Sequence, residues 1–174
     1  YALEFIENNF VFQDHQAGSP FTIEGILDFA SSALLRADTS VLVIDPFNFI
    51  DIKQGNQLLT EAINKMLTKV TQWAKQTQSI VLFVAHPAKP ANRDNLVATG
   101  LDIAGSISWY TKADFLLSVV RNDSDTDVHV QKVRWNFQGS QGVAKLRYDL
   151  NSGRFDEISE DIGFDPDYEW TTDF

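Results

Sequence analysis

The chain has 174 residues, of which 44% are hydrophobic and none is cysteine, and its formal net charge is −10. This length suits one domain with a single core, and the missing thiols exclude disulfides and thiolate metal sites. The sequence contains no run of 18 apolar residues, so no membrane span is predicted. It does not begin with the charged, apolar and small-residue regions of a signal peptide, so no secreted protein is predicted.

The negative charge is concentrated at one end of the chain. Residues 156–174 hold eight acids and no Lys or Arg, which leaves only −2 for residues 1–155. A strongly acidic domain would argue against nucleic-acid binding, but the nearly neutral charge of residues 1–155 does not. We therefore divide the chain into a folded part, 1–155, and an acidic C-terminal tail, 156–174, which is either a solvated terminus or a segment that binds a partner.

The first elements in chain order predict a β-α-β unit. Apolar residues recur at helical spacing from Phe21 to Arg36, with Thr22 as a plausible N-cap, and again from about Asn56 to Gln76. Residues 41–45 and 80–85 are short, wholly apolar runs typical of buried strands. Two such strands joined by a long helix are expected to be parallel and covered on both faces.

The rest of the chain predicts a long loop followed by an antiparallel extension. Residues 87–104 contain two prolines and a glycine with little periodicity, so we expect a long loop, and loops of this length are usually functional or disordered. A short helix is expected around Ala104–Thr111. Strand-like runs separated by turn-forming residues then follow at 114–121, 128–135 and 142–148.

Two polar residues, Asp45 and His86, follow the two buried strands directly. In open α/β sheets, ligands bind beyond the carboxyl ends of the strands. A carboxylate there can hold Mg²⁺ through water, and a neutral imidazole nearby can hydrogen-bond a γ-phosphate or its attacking water. The alternative is that Asp45 starts a turn before Pro46 and that His86 only ends a strand.

Four stretches, in this order, resemble the motor domain of ring-forming replicative DNA helicases: VLVIDPFNFID, LFVAHPAKP, LDIAGSISWYTKADFLLSVVR and VQKVRWNFQGSQGVAKLRYDLNSGRF. The likeness covers roughly residues 1–155 and is to phage and Twinkle-type primase-helicases, which are related to DnaB. It implies an α/β fold, namely the C-terminal half of a RecA-like P-loop NTPase core. Its parallel central sheet would carry helices on both faces and an antiparallel C-terminal extension.

The resemblance also implies roles for individual residues. Asp45 matches the Walker B aspartate that serves Mg²⁺, and His86 matches the polar residue that couples the γ-phosphate to the DNA-binding loop. Two segments match loops that face the central channel. The first runs from Asn48 to Gln57, and Asn48 is its expected DNA contact. The second is residues 87–104, and the DNA contacts expected from it and from the motif that ends it are Lys89, Arg93, Gly105 and Ser106, with Asp102 in the same motif.

Lys132 and Arg134 match the basic pair that family members present to the nucleotide of the neighbouring subunit. An arginine supplied across a subunit boundary can neutralise charge on the γ-phosphate. The K-x-R spacing places both side chains on one face of a strand, although a solvated strand face would show the same spacing. Trp109 and Tyr110 either stack on a base or pack in the core.

Two parts of the family's site are missing from these residues. The sequence contains no G-x-x-x-x-G-K-[ST] motif, and no glutamate stands in a recognisable catalytic motif. We therefore expect a fragment of a helicase that, when intact, uses Mg²⁺ and ATP or another NTP, binds single-stranded DNA and assembles into a ring of identical subunits, expected to be a hexamer. The isolated chain is predicted to lack ATPase activity and to need no cofactor, and a cytoplasmic location in a bacterial host or phage-infected cell is expected.

Two other interpretations remain open. The chain can be a non-catalytic, helicase-derived module that binds single-stranded DNA or a helicase ring. It can also be an unrelated α/β enzyme that uses Asp45 and His86 on a small substrate, which would leave Lys132 and Arg134 unexplained.

Overall fold

The computed structural model describes residues 1–13, 21–52, 57–87, 97–103, 107–122 and 125–158. The composition predicts one globular unit, whereas the chain forms two compact units, Tyr1–Ala113 and a second that begins at Asp114. The sheets follow the same division, since the first two strands pair with each other and the last four form a separate sheet. The protein is therefore mixed α/β, with one parallel and one antiparallel sheet. The assignment of residues 1–155 to a single motor part stays a prediction.

The first unit contains the predicted β-α-β arrangement. The Thr22 hydroxyl accepts a hydrogen bond from the Gly25 N–H at 3.2 Å, which confirms the predicted N-cap. The predicted helices and strands are confirmed with ends shifted by a few residues. The elements are α1 (Ala2–Asn9), α2 (Ile23–Ala37), β1 (Val41–Ile44), a 3₁₀ turn (Phe47–Phe49), α3 (Leu59–Thr77), β2 (Ile80–Phe83) and α4 (Ser108–Lys112).

The core of this unit lies where α2 and α3 meet the strands. Ile63 of α3 is fully buried at its centre, because the helix directs its apolar stripe towards β1 and β2. The Trp73 indole N–H donates to the Ser31 hydroxyl at 2.9 Å and so joins the two helices. Other buried members of the cluster are Ile23, Ile26, Leu27, Ile44, Phe47, Ile50, Met66, Leu67, Val70 and Trp109.

Strands β1 and β2 are parallel, as predicted, with Ile44 opposite Phe83. Only one face of this pair is covered by the described residues. Side chains alternate between the two faces of a strand, and those of the inner face pack on the core, whereas those of the other face are exposed: Val41, Val43, Ile80, Leu82 and Val84. Among the described residues, α2 and α3 supply a helical layer on one face, and the predicted layer on the other face stays a prediction.

The second unit is an antiparallel sheet in the order β3-β4-β5-β6. Two boundaries differ from the sequence prediction. The strand expected at 128–135 begins earlier and ends earlier, because Asp125 already pairs with Arg147 and the last strand residue is Val133. A fourth strand also crosses the predicted boundary of the acidic tail at residue 156. The strands are β3 (Phe115–Arg121), β4 (Asp125–Val133), β5 (Gly142–Asp149) and β6 (Arg154–Glu157).

None of the described helices combines the length and the apolar character that crossing a membrane requires.

Candidate functional site

The carboxyl ends of β1 and β2 bring Asp45 and His86 to the same edge of the parallel pair. The ladder continues past the last strand residues, since the Val84 N–H donates to the Ile44 carbonyl at 2.9 Å and the Phe47 N–H to the Val84 carbonyl at 2.8 Å. Both Asp45 and His86 are exposed. The parallel pairing thus confirms the geometric expectation, while the chemical roles of the two residues stay predictions.

Asn48 links the two strand ends through a side chain. Its amide oxygen lies 3.5 Å from the His86 backbone nitrogen and accepts a long hydrogen bond from it. The bond uses the backbone of His86 and leaves its imidazole nitrogens out of the contact. Asn48 was predicted as a DNA contact, and the structure adds that it joins the turn after β1 to the segment after β2.

Three aromatic rings pack together beneath this edge, of which Phe47 and Trp109 are buried and Phe83 is half-buried. Phe47 comes two residues after Asp45, and Phe83 comes three residues before His86. The Trp109 ring meets both at steep angles, with centroids 4.8 Å from Phe47 and 5.1 Å from Phe83. Edge-to-face pairs of this kind are favourable beyond the area they bury. Trp109 is only 6% exposed, so it packs in the core and is not available for base stacking.

The long loop after β2 is closed at its base. Pro87 and Ile103 form an isolated antiparallel bridge, which holds the two ends of the intervening segment side by side. The predicted DNA contacts Lys89, Arg93, Gly105 and Ser106 lie outside the described residues. The sequence therefore remains the only basis for their assignment.

Asp102 belongs to a tight turn before the bridge. Its carboxylate accepts hydrogen bonds from the Thr99 backbone N–H at 2.7 Å and the Thr99 hydroxyl at 2.8 Å. These bonds, the backbone one first, lower the pKa of Asp102 below its ordinary value. Asp102 thus shapes the loop exit through contacts within its own turn.

Lys132 and Arg134 lie in the second unit, at the end of β4. Arg134 is just outside the strand, but its backbone N–H donates to the Asp114 carbonyl at 2.9 Å and so continues the pairing with β3. Its Nε also lies 2.9 Å from the Asp114 carboxylate. Burial, and then the positive charge of Arg134, lower the pKa of Lys132, while Asp114 raises it by less. The two cations are therefore close enough to repel each other, in keeping with the expected shared face.

Sequence reasoning missed Asp114 as part of this cluster. The residue stands at the start of a predicted strand and carries no motif of its own. The sequence gives one indication: Asp114 starts a strand predicted to pair antiparallel with the strand that carries the two cations, and opposite charges facing each other across strands attract. That register depends on a bulge between Leu116 and Leu117, which the sequence does not reveal.

A magnesium site of the kind predicted is compatible with Asp45 but is not demonstrated by a ligand cluster. No group of three or more His, Asp or Glu side chains gathers anywhere in the part of the chain that the structure describes. Mg²⁺ keeps most of its waters and needs only one or two protein carboxylates. The exposed Asp45 carboxylate at the strand edge meets that requirement, and the remaining ligands would come from water and a nucleotide.

A separate groove of about 440 Å³ lies between the start of α2, the segment after the 3₁₀ turn and α3. Its lysines are already engaged, since Lys69 pairs with Glu24 and Lys65 donates to the Gln57 amide oxygen at 2.8 Å. The lining also includes the acid Asp51. This balance of charges does not favour a phosphate, so the groove is not part of the candidate site.

A scan against protein-family models found no match. The chain is 33% identical over 144 residues to a protein of Arabidopsis thaliana named "Twinkle homolog protein, chloroplastic/mitochondrial". The alignment covers 78% of this chain but 20% of the relative, so the chain spans about a fifth of that protein's length.

Proposed function

This chain belongs to the family of the Twinkle homologue, and on that basis we propose that it forms the C-terminal part of a RecA-like motor in a DNA primase-helicase. The intact motor would couple NTP hydrolysis to movement along single-stranded DNA. One observation carries the proposal: Asp45 and His86 both lie at the carboxyl edge of a parallel strand pair, with Asn48 joining the two strand ends. The family motifs thus lie where an α/β fold binds ligands.

At this edge Asp45 would hold Mg²⁺ through water. The ion, when bound with an NTP, supplies the positive charge that neutralises the phosphates. The aromatic rings beneath the edge keep the backbone that carries Asp45 in place. The 174 residues contain no phosphate-binding loop, so in this proposal the loop belongs to another part of the motor.

His86 and Asn48 would transmit the state of the nucleotide to the DNA-binding segments. The hydrogen bond between the Asn48 amide and the His86 backbone connects the segment after β1 to the one after β2. A displacement of His86 would therefore also move the turn that contains Asn48. Pro87, the residue after His86, forms a bridge with Ile103, so the displacement would also reach Ile103.

Lys132 and Arg134 would face the nucleotide of the neighbouring subunit. The Asp114 carboxylate holds the Arg134 guanidinium through Nε. Mutual repulsion raises the energy of the charged pair, and a phosphate placed between the two cations would relieve it. In this proposal the nucleotide of the neighbouring subunit supplies that phosphate, which would make hydrolysis depend on assembly.

The uncovered face of the parallel strands supports the same proposal. Parallel sheets occur almost only with both faces covered, yet the described residues leave the aliphatic side chains of one face exposed: Val41, Val43, Ile80, Leu82 and Val84. A further layer of the motor, which would include the phosphate-binding loop, is the natural cover. Burial of these side chains would stabilise the complete motor by on the order of 0.8 kcal/mol for each CH₂ group removed from water.

The test is NTP hydrolysis by two proteins. The 174-residue chain should show no turnover, with or without oligo(dT), whereas the product of a longer in-frame sequence that includes a P-loop should hydrolyse NTP. In that longer protein Asp45→Ala should abolish turnover and preserve binding of single-stranded DNA. Turnover by the 174-residue chain that Asp45→Ala abolishes would show that the site is complete within it and would overturn the proposal.

A further inference from the structure

Two aromatic rings project from the connection between β4 and β5. Trp135 is 53% exposed and Phe137 is 84% exposed. Their planes lie within 24° of parallel and their centroids are 6.4 Å apart. The pair is therefore a nearly parallel, solvent-exposed set of rings. The other exposed ring pair of this unit, Tyr148 and Phe155, is tilted by 49° and offers no comparable surface.

The backbone holds this pair in one arrangement. The Gln138 N–H donates to the Trp135 carbonyl at 2.9 Å and closes a 3₁₀ turn over Asn136–Gln138. Gly139 follows with φ of +143°, a conformation that residues with a side chain rarely adopt. The turn therefore has a defined backbone conformation at the point where the two rings are exposed.

Two cations, Lys132 and Arg134, come directly before the rings in the sequence, although the whole chain is acidic. Asp114 pairs with the second. The other cations of this hairpin, Lys145 and Arg147, lie at its far end opposite Asp127 and Asp125. Burial, and then the Arg134 charge, lower the pKa of Lys132, while Asp114 raises it by less.

A second stacked pair in the described chain provides a contrast. Phe10 and Phe12 have centroids 6.0 Å apart and planes within 12° of parallel. Residues 1–13 contain Glu4 and Glu7 but no Lys or Arg. That pair suits an apolar protein surface, whereas the rings beside Lys132 and Arg134 suit a ligand that is both flat and anionic.

We propose that the Trp135–Phe137 pair stacks on an unpaired base of single-stranded DNA. A nucleobase has the flat apolar face, and its backbone carries the phosphates that a positive surface attracts. Stacking on aromatic side chains tolerates any base, as a translocating protein requires. The inference rests on the proposed function, because it assigns to this hairpin a contact with the DNA on which the motor acts.

The test is a titration of the 174-residue chain with fluorescein-labelled oligo(dT), followed by anisotropy at low and at moderate salt. Trp135→Ala and Phe137→Ala should each weaken binding about tenfold, within the range measured when stacking residues are removed. Trp135→Phe should restore most of the affinity. The control is Leu150→Ala, because Leu150 is also 84% exposed but lies in the turn at the other end of β5.

Two further ligands separate stacking from its alternatives. An abasic oligonucleotide of equal length keeps the phosphates and lacks the bases. It should bind more weakly than oligo(dT), and its affinity should be the same for the wild-type chain and for Trp135→Ala.

Free NTP tests whether the rings stack on the base of a nucleotide and not on a base of DNA. A loss of NTP affinity in Trp135→Ala and Phe137→Ala with unchanged oligo(dT) affinity would overturn the assignment to DNA.

The remaining outcomes also decide the matter. Oligo(dT) binding that is unaffected in both alanine variants overturns the stacking proposal and leaves the proposed function intact. No oligo(dT) binding at low salt by the wild-type chain overturns the stacking proposal and removes DNA binding by this part of the motor. If both variants instead reduce self-association in sedimentation velocity, with unchanged DNA binding, the rings form a protein interface and the proposal is wrong.

Discussion

The Nε atom of Arg134 lies 2.9 Å from a carboxylate oxygen of Asp114, and the backbone N–H of the same arginine donates to the Asp114 carbonyl. One residue thus holds both the main chain and the side chain of the arginine proposed to act across a subunit boundary. The Asp114 side chain is 58% exposed, so the pair contributes little to stability, on the order of 0–1 kcal/mol. Its main effect is on the position and charge of the cationic pair.

Asp114→Asn should lower the pKa of Lys132 further, because Asp114 is the group that raises it. Arg134→Gln should have the opposite effect and raise that pKa, since the Arg134 charge lowers it. Both shifts can be followed by NMR titration of the Lys132 ε-methylene group. Asp125→Asn is the control, since Asp125 pairs with Arg147 and not with this cluster. A Lys132 pKa that moves in the same direction in both variants would contradict the described geometry.

Phe47→Ala should destabilise the first unit by about 3–5 kcal/mol, the usual range for removing a buried aromatic ring. Phe47 is 8% exposed and contacts Trp109 and Phe83. Phe49, two residues later, is 75% exposed and provides the control, for which a change within about 0.5 kcal/mol is expected. Urea unfolding followed by circular dichroism measures both. Equal losses for the two variants would show that the ring cluster does not support the edge.

Asn48→Ala should remove the hydrogen bond to the His86 backbone and speed the exchange of that amide hydrogen. The bond is long and exposed, so the loss of stability should stay at or below about 1 kcal/mol. Asn48→Asp keeps an oxygen acceptor and should restore the protection. Hydrogen exchange followed by NMR at the His86 amide distinguishes the two. Unchanged exchange in Asn48→Ala would mean that the two strand ends are not joined in this way.

Asp102 should make stability depend on pH in the acidic range. Its pKa in the folded chain is lowered by the hydrogen bonds from Thr99, so the unfolded chain binds a proton more readily. The stabilising effect is fully present above the ordinary value of 3.8 and is lost as the pH falls through the lowered pKa. The difference in unfolding free energy between wild type and Asp102→Asn should therefore shrink on acidification. A difference that is constant from neutral pH to about pH 3 would exclude this role.

The helices and strands of the first unit could be predicted because local patterns determine them. The helical spacing in α2 and α3 and the apolar runs of β1 and β2 each appear within a single segment. The placement of Asp45 and His86 at one edge followed from the same information, since a long helix between two strands makes them parallel. No described element supplies the predicted helical layer on the second face of these strands.

Other features depended on contacts between distant segments. Trp109 and Tyr110 are adjacent and equally able to stack on a base by type, yet packing against Phe47 and Phe83 buries the first. The roles of Lys89 and Arg93 stay predictions, since these residues lie outside the described chain.

The sequence by itself determined the order of the elements, the parallel strand pair and the family, because these depend on periodicity and on motifs read along the chain. Only the tertiary structure decided that Asp114 holds Arg134 and that Asn48 joins the two strand ends. It also decided that the rings of Trp135 and Phe137 are exposed and nearly parallel. Hydrogen bonds, ion pairs and burial depend on distances across the fold. Residues far apart in the sequence acquire those distances only when strand register and packing are set.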